Sequence, residues 1–69
     1  MDERLEKVMR ENLGVTKSEV ENMTKEELGA LYDKACDYEV EKAMEAGDGV
    51  TKESADAADI VDWLWEKVA

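Results

Sequence analysis

The sequence predicts an all-α protein, a small helical bundle of three main helices plus one short helix, folded as a single helical domain over residues 1–69. Three observations predict it. First, a threonine that can cap a helix precedes three of the predicted helices. Second, apolar residues recur along the helices at three- and four-residue spacing. Third, glycines follow the ends of predicted helices, and the chain contains no proline. A chain this short buries only about 60% of the surface of its unfolded form, so we expect modest stability.

The first helix is predicted over about residues 2–12. Leu5, Val8 and Met9, with Leu13 at the exit, recur at three- and four-residue spacing, which places them on one side of a helix. Gly14 then follows, and glycine adopts the left-handed conformation that ends many helices without a steric cost. The segment is therefore expected to be an amphipathic helix with one apolar stripe.

A short second helix is predicted over about residues 17–22 and a long third helix over about 25–46. Each begins at a capping box, in which a threonine caps the helix and a glutamate three residues later bonds back. The two pairs are Thr16 with Glu19 and Thr24 with Glu27. The apolar stripe of the third helix is Leu28, Leu31, Tyr32, Ala35, Cys36, Val40, Ala43 and Met44. Gly29 lies beside this stripe and indicates either a close helix crossing or a defect in the helix.

A fourth helix is predicted over about residues 52–68. Thr51 can cap it, although Ser54 replaces the reciprocal glutamate and is a rival cap. Its apolar residues share one side, so the segment is predicted to pack against the long third helix. They are Ala57, Ile60, Val61, Leu64, Trp65 and Val68.

Composition restricts the partners and the compartment. Nineteen acidic and nine basic residues give a formal net charge of −10, which repels phosphate backbones and anionic lipid, so we expect no direct nucleic-acid binding and no membrane binding. The single cysteine cannot form an intramolecular disulfide, and the first residues contain no apolar run of the secretory kind. A cytoplasmic location is the expectation.

Catalytic and metal-binding residues are not predicted. The chain has no histidine, and Ser18 and Ser54 both lie at predicted helix starts, where serine commonly caps. Cys36 falls within an apolar stripe and is expected to behave as a small buried apolar residue. The Asp48–Gly49 pair is not followed by the alternating oxygen ligands of a calcium loop. The sequence therefore predicts a protein that is not an enzyme and carries no cofactor.

Acidic residues form regular rows on the third and fourth helices. The first row recurs at every fourth position, as Asp33, Asp37, Glu41 and Glu45, and the second is Asp56, Asp59, Asp62 and Glu66. One interpretation is that these rows only keep the protein soluble. The other is that they bind a basic surface of another protein.

Trp63 is expected to point away from Leu64, Trp65 and Val68, among acidic neighbours, and tryptophan is common among the residues that dominate binding at interfaces. The alternative is that the first helix or a second copy of the chain covers it.

The predicted function is a non-enzymatic, acidic protein-binding module or small regulator whose protein partner has a basic surface; a homodimer is also considered. The alternative function is a nucleic-acid-mimicking inhibitor, of the phage or mobile-element type, that blocks a basic groove of its target. The predicted partner-binding residues are Trp63, Asp33, Asp37, Glu41, Glu45, Asp59, Asp62 and Glu66.

Overall fold

The computed structural model describes residues 2–47 and 49–69, and over these residues the protein is helical without any strand. The helices are α1 (Glu3–Leu13), α2 (Lys17–Glu21), α3 (Lys25–Ala46) and α4 (Lys52–Val68). The predicted all-α bundle of three main helices and one short helix is confirmed. Asp48, considered above as part of a calcium-loop pattern, lies outside the described residues.

Each helix begins at a side chain that accepts a backbone hydrogen bond. The Asp2 carboxylate caps α1 by accepting from the Leu5 backbone N–H at 2.9 Å. The other three helices have reciprocal capping boxes, formed by Thr16 with Glu19, Thr24 with Glu27, and Thr51 with Ser54. In the last of these the Ser54 hydroxyl accepts from the Thr51 N–H at 3.0 Å, so serine supplies the reciprocal bond in place of glutamate.

Two helices end at glycines with positive φ. Gly14 ends α1 in the left-handed conformation, at φ 74° and ψ 20°, and its N–H donates to the Arg10 carbonyl at 3.1 Å. Gly47 ends α3 at φ 65° and ψ −126°, a combination that is essentially restricted to glycine. These two residues turn the chain where the sequence predicted helix ends.

The core lies between the antiparallel α3–α4 hairpin and α1, which packs across one side of it. Leu31 and Leu64 are buried as predicted, and Met9 of α1 is fully buried against them. The buried apolar residues of this cluster are Met9, Leu13, Val20, Leu28, Leu31, Ala35, Ile60, Val61 and Leu64. One side of the hairpin therefore contributes most of the core.

An ion pair joins α1 to the start of α4. Asp56, which the sequence placed in an exposed acidic row, is buried, and its carboxylate lies 3.1 Å from the Arg4 guanidinium. The prediction was wrong because Asp56 is four residues before Ile60 and so lies at the edge of the buried side of α4, where α1 supplies a cation. Buried carboxylates are generally paired in this way.

Three large apolar residues of the predicted stripes are exposed. Val40, Met44 and Trp65 have exposed fractions of 56%, 77% and 52%. The reason is geometric: α1 covers only one side of the hairpin, and these side chains project from the other. Gly29 does not mark a close helix crossing, because a Cβ built there meets none of the described residues within 4 Å.

Candidate protein-binding surface

A shallow groove of about 540 Å³ lies between α3, α4 and the segment that connects them. Its floor is made of small and aliphatic side chains, and three large ones, Val40, Met44 and Val50, are more than half exposed along it. The lining residues that the structure describes are Glu39, Val40, Ala43, Met44, Gly47, Gly49, Val50, Ser54, Ala55 and Ala58. None of these belongs to α1 or α2, so the groove lies on the side of the hairpin that those helices leave uncovered.

An aromatic pair continues this apolar surface toward the end of α4. The rings of Tyr32 and Trp65 lie 5.6 Å apart between centroids at an interplanar angle of 44°. Tyr32, Cys36 and Val40 follow one another at four-residue spacing on α3, which leads from the ring pair to the groove. The groove together with Tyr32, Cys36 and Trp65 is called the open face below.

Acidic side chains border the open face along α3. Asp33 precedes Val40 by seven residues and Asp37 precedes Met44 by seven, so each acid lies within about 20° of its apolar partner around the helix. Both aspartates are exposed. They form one edge of the open face.

A second acidic edge runs along α4. Asp59 and Asp62 follow the groove residues Ala55 and Ala58 by four positions, and both aspartates are exposed, as is Glu66 one turn further on. The neighbouring Cys36 side chain and partial burial raise the pKa of Tyr32, and the charges of Glu39 and Asp62 add smaller contributions in the same direction.

The predicted acidic row on α3 does not act as one surface. A step of four residues advances about 40° around an α-helix, so the row turns by about 120° between Asp33 and Glu45. Glu45 lies away from the open face, where its carboxylate is 3.4 Å from the Lys42 ammonium, and the hydrogen bond to Glu45 together with its charge raises the pKa of Lys42. Glu41 is exposed and lies between Asp37 and Glu45 around the helix. The structure thus brings Asp33 and Asp37 to the open face and takes Glu45 away from it.

Trp63 lies on the opposite side of α4 from Trp65, since two residues on a helix are about 200° apart. It is half-buried and packs against the core, with the Lys67 ammonium 5.3 Å from its ring centroid. The expectation that Trp65 belongs to the core is therefore wrong, since Trp65 is the more exposed of the two. Trp63 contacts the core, which agrees with the alternative in which it is a covered side chain. The sequence misassigned Trp65 because the position of α1 decides which side of α4 is covered.

Comparisons of the chain with protein-family models, with curated proteins and with solved structures find no match. Over the described residues there is no cluster of three or more side chains suited to hold a metal ion. In the same part of the chain, every helix is too short or too polar to cross a membrane.

The width of the apolar stripe on α3 is a sequence signal for the open face. The stripe on α3 passes from Leu31 and Ala35 through Cys36 to Val40 and Met44, an arc of about 220°, which is more than half the helix circumference. A helix in a bundle of this size buries a narrower stripe, of the order of 100°. A stripe this wide indicates either two neighbours or one neighbour and an apolar surface in contact with water.

Proposed function

We propose that this protein is a non-enzymatic binding module whose open face docks another protein. The observation that carries the proposal is the exposure of four large apolar side chains, Val40, Met44, Val50 and Trp65, along one side of the hairpin. Small soluble domains rarely leave such a continuous apolar surface in water unless something binds there.

Covering these side chains supplies the free energy of binding. Full burial of one large aliphatic side chain contributes roughly 1.5–3 kcal/mol relative to its exposed state. Even partial burial of Val40, Met44, Val50 and Trp65 therefore offsets a substantial part of the entropy lost on association. Trp65 is the proposed central contact, because tryptophan is enriched among the residues that dominate binding energy at interfaces.

The acidic side chains are proposed to select the partner and to keep the free protein soluble. Asp33, Asp37, Asp59, Asp62 and Glu66 border the open face, and a charged rim around an apolar centre is the usual anatomy of a specific interface. Trp63, Glu41 and Glu45 remain predicted contact residues, on surfaces that turn away from the open face.

The alternative function, a nucleic-acid-mimicking inhibitor, uses the acidic rows and has no need of exposed apolar side chains. Its binding is expected to depend on charge along the whole of α3, including Glu41 and Glu45. The open face is better explained by apolar docking, so the alternative becomes an outcome of the test below.

The test is a selection of 16-residue peptides from a displayed random library on the wild-type protein, followed by affinity measurements with two variants. Val40→Ser/Met44→Ser removes apolar surface from the open face, and Glu41→Ser/Glu45→Ser changes two exposed positions elsewhere on the same helix. We expect the first variant to lose at least about tenfold in affinity for most selected peptides and the second to lose little.

Circular dichroism melts verify that both variants fold. If no peptide depends on Val40 and Met44, the open face is not a docking surface. If binding instead fails with the Glu41→Ser/Glu45→Ser variant, the charge-based alternative is supported.

A further inference from the structure

Resting on the proposed function, we infer that the occupant of the open face is an amphipathic helix whose apolar side is flanked by lysine or arginine. The inference combines the shape of the open face, the backbone chemistry of its walls and the distribution of charge around it.

The length of the open face suits about three turns of helix. From Tyr32 to Met44 the surface follows twelve residues of α3, which corresponds to about 18 Å at 1.5 Å per residue. The other side of the same hairpin already holds a helix of this size, since α1 spans eleven residues and packs there through Leu5, Met9 and Leu13 at four-residue spacing. A hairpin that accepts a helix in the trough on one side offers a similar trough on the other.

The walls of the open face favour a helix over an extended segment. The two long walls, α3 and α4, are α-helices, whose backbone N–H and C=O groups are already paired along most of their length. An extended segment docked there finds no backbone partners, whereas a helix satisfies its own backbone. A docked helix therefore keeps its backbone hydrogen bonds within itself and contacts the open face through side chains alone.

The charge around the open face is acidic on both edges, and the nearby cations are engaged elsewhere. Lys34 donates to the Leu13 carbonyl, Lys42 pairs with Glu45, and Lys67 lies over the Trp63 ring. Among the described residues that line the groove, none is basic and Glu39 is acidic. A helix with lysines or arginines on both sides of its apolar stripe matches this arrangement.

A second copy of this chain is a poor match for the charge around the open face. Each copy carries a formal charge of −10, and pairing the open faces brings the acidic edge containing Asp37 and the edge containing Asp62 against edges of the same sign. Like charges opposed across an interface disfavour association.

Three synthetic 16-residue helical peptides test the inference. The first has leucines at positions i, i+4, i+7 and i+11 flanked by lysines, the second replaces the lysines with glutamates, and the third keeps the lysines and replaces the leucines with glutamines. Binding is followed by fluorescence anisotropy and by the emission of Trp65 in a Trp63→Phe background. We expect the first peptide to bind at micromolar concentration, at least tenfold more tightly than either of the others, and to blue-shift the emission.

Matched variants locate the charge effect. Asp37→Asn/Asp62→Asn neutralises one acid on each edge, and Glu11→Gln/Glu21→Gln neutralises two exposed acids outside the open face. We expect the first variant to lose several-fold in affinity for the lysine peptide at 50 mM salt, to lose less at 300 mM salt, and the second variant to resemble the wild type.

The other outcomes separate this inference from the proposed function. Equal binding of the glutamate peptide overturns the cationic partner but leaves the open face as a docking surface. Equal binding of the peptide without leucines overturns both. Failure of all three peptides overturns the helical partner, while the library selection decides the proposed function independently. Self-association that sedimentation detects in the wild type but not in Val40→Ser/Met44→Ser makes a second copy the occupant and overturns the inference.

Discussion

Gly14 and Gly29 show how one residue type can be required at one position and unfavourable at another. A Cβ built at either position meets no residue that the structure describes within 4 Å, so neither glycine is needed to make room for such a neighbour. Gly14 has a φ of 74°, whereas Gly29 lies within α3, where φ is negative as in any helix. Backbone conformation alone separates the two.

The predicted effects of alanine at these positions are opposite. Gly29→Ala should raise the free energy of unfolding by about 0.5–1 kcal/mol, because alanine restricts the unfolded chain and favours the helix. Gly14→Ala should lower it by about 1–2 kcal/mol, the cost of a left-handed conformation for a residue with a Cβ. Urea denaturation measures both. A loss of stability in Gly29→Ala would show that a close contact exists at that position after all.

At the scale of single residues, the sequence predicted the burial of some side chains correctly and of others incorrectly. Leu31 and Leu64 are buried as expected, since each lies at the centre of its apolar stripe. Trp65 and Asp56 were misassigned, since each lies at the edge of a stripe, where burial depends on which neighbour packs alongside. The pairing of Asp56 with Arg4 joins residues far apart in sequence, and helical periodicity carries no information about it.

At the scale of the helices, prediction was accurate because the start signals are local. Each cap is a hydrogen bond between residues three apart, such as Thr24 with Glu27, so the sequence contains both partners side by side. Packing between helices, by contrast, depends on contacts between residues that are far apart in sequence. These contacts decide which side of the hairpin α1 covers, and for that reason the open face was not predicted.

The contact between α3 and α4 gives a prediction about the core. Leu31→Ala and Leu64→Ala should each lower the free energy of unfolding by about 2–5 kcal/mol, because each leaves a cavity where a buried side chain packed. Met44→Ala is the matched control, since Met44 is 77% exposed and should change stability little. Thermal melts decide it: a wild-type midpoint in both leucine variants contradicts the assigned core.

At the scale of the whole molecule, the charge opposes the compact state. Thirteen of the acidic residues lie in residues 25–69 with only five basic residues, so repulsion is concentrated on the α3–α4 hairpin. Neighbouring like charges at four-residue spacing each cost a few tenths of a kcal/mol. Helix formation places these like charges next to one another, and dissolved salt screens the repulsion between them.

Stability should therefore increase with salt. Between about 20 mM and 500 mM sodium chloride we expect the free energy of unfolding to rise by on the order of 1 kcal/mol, as screening weakens repulsion along the hairpin. The Asp37→Lys/Glu41→Lys variant should be more stable at low salt and less responsive to added salt. Denaturation curves at several salt concentrations provide the measurement, and a wild-type stability that falls with salt refutes this account.

The local caps also bear on how fast the chain folds. Every helix can begin at its own cap before any tertiary contact exists, and α3 and α4 are joined by a short connection that closes the hairpin with little loss of chain entropy. Bundles dominated by contacts between residues near in sequence fold in microseconds to milliseconds. The chain has no proline, so isomerisation of prolyl bonds adds no slow phase. We expect temperature-jump relaxation to be complete within milliseconds at 25 °C, and a phase lasting seconds would point instead to association between chains.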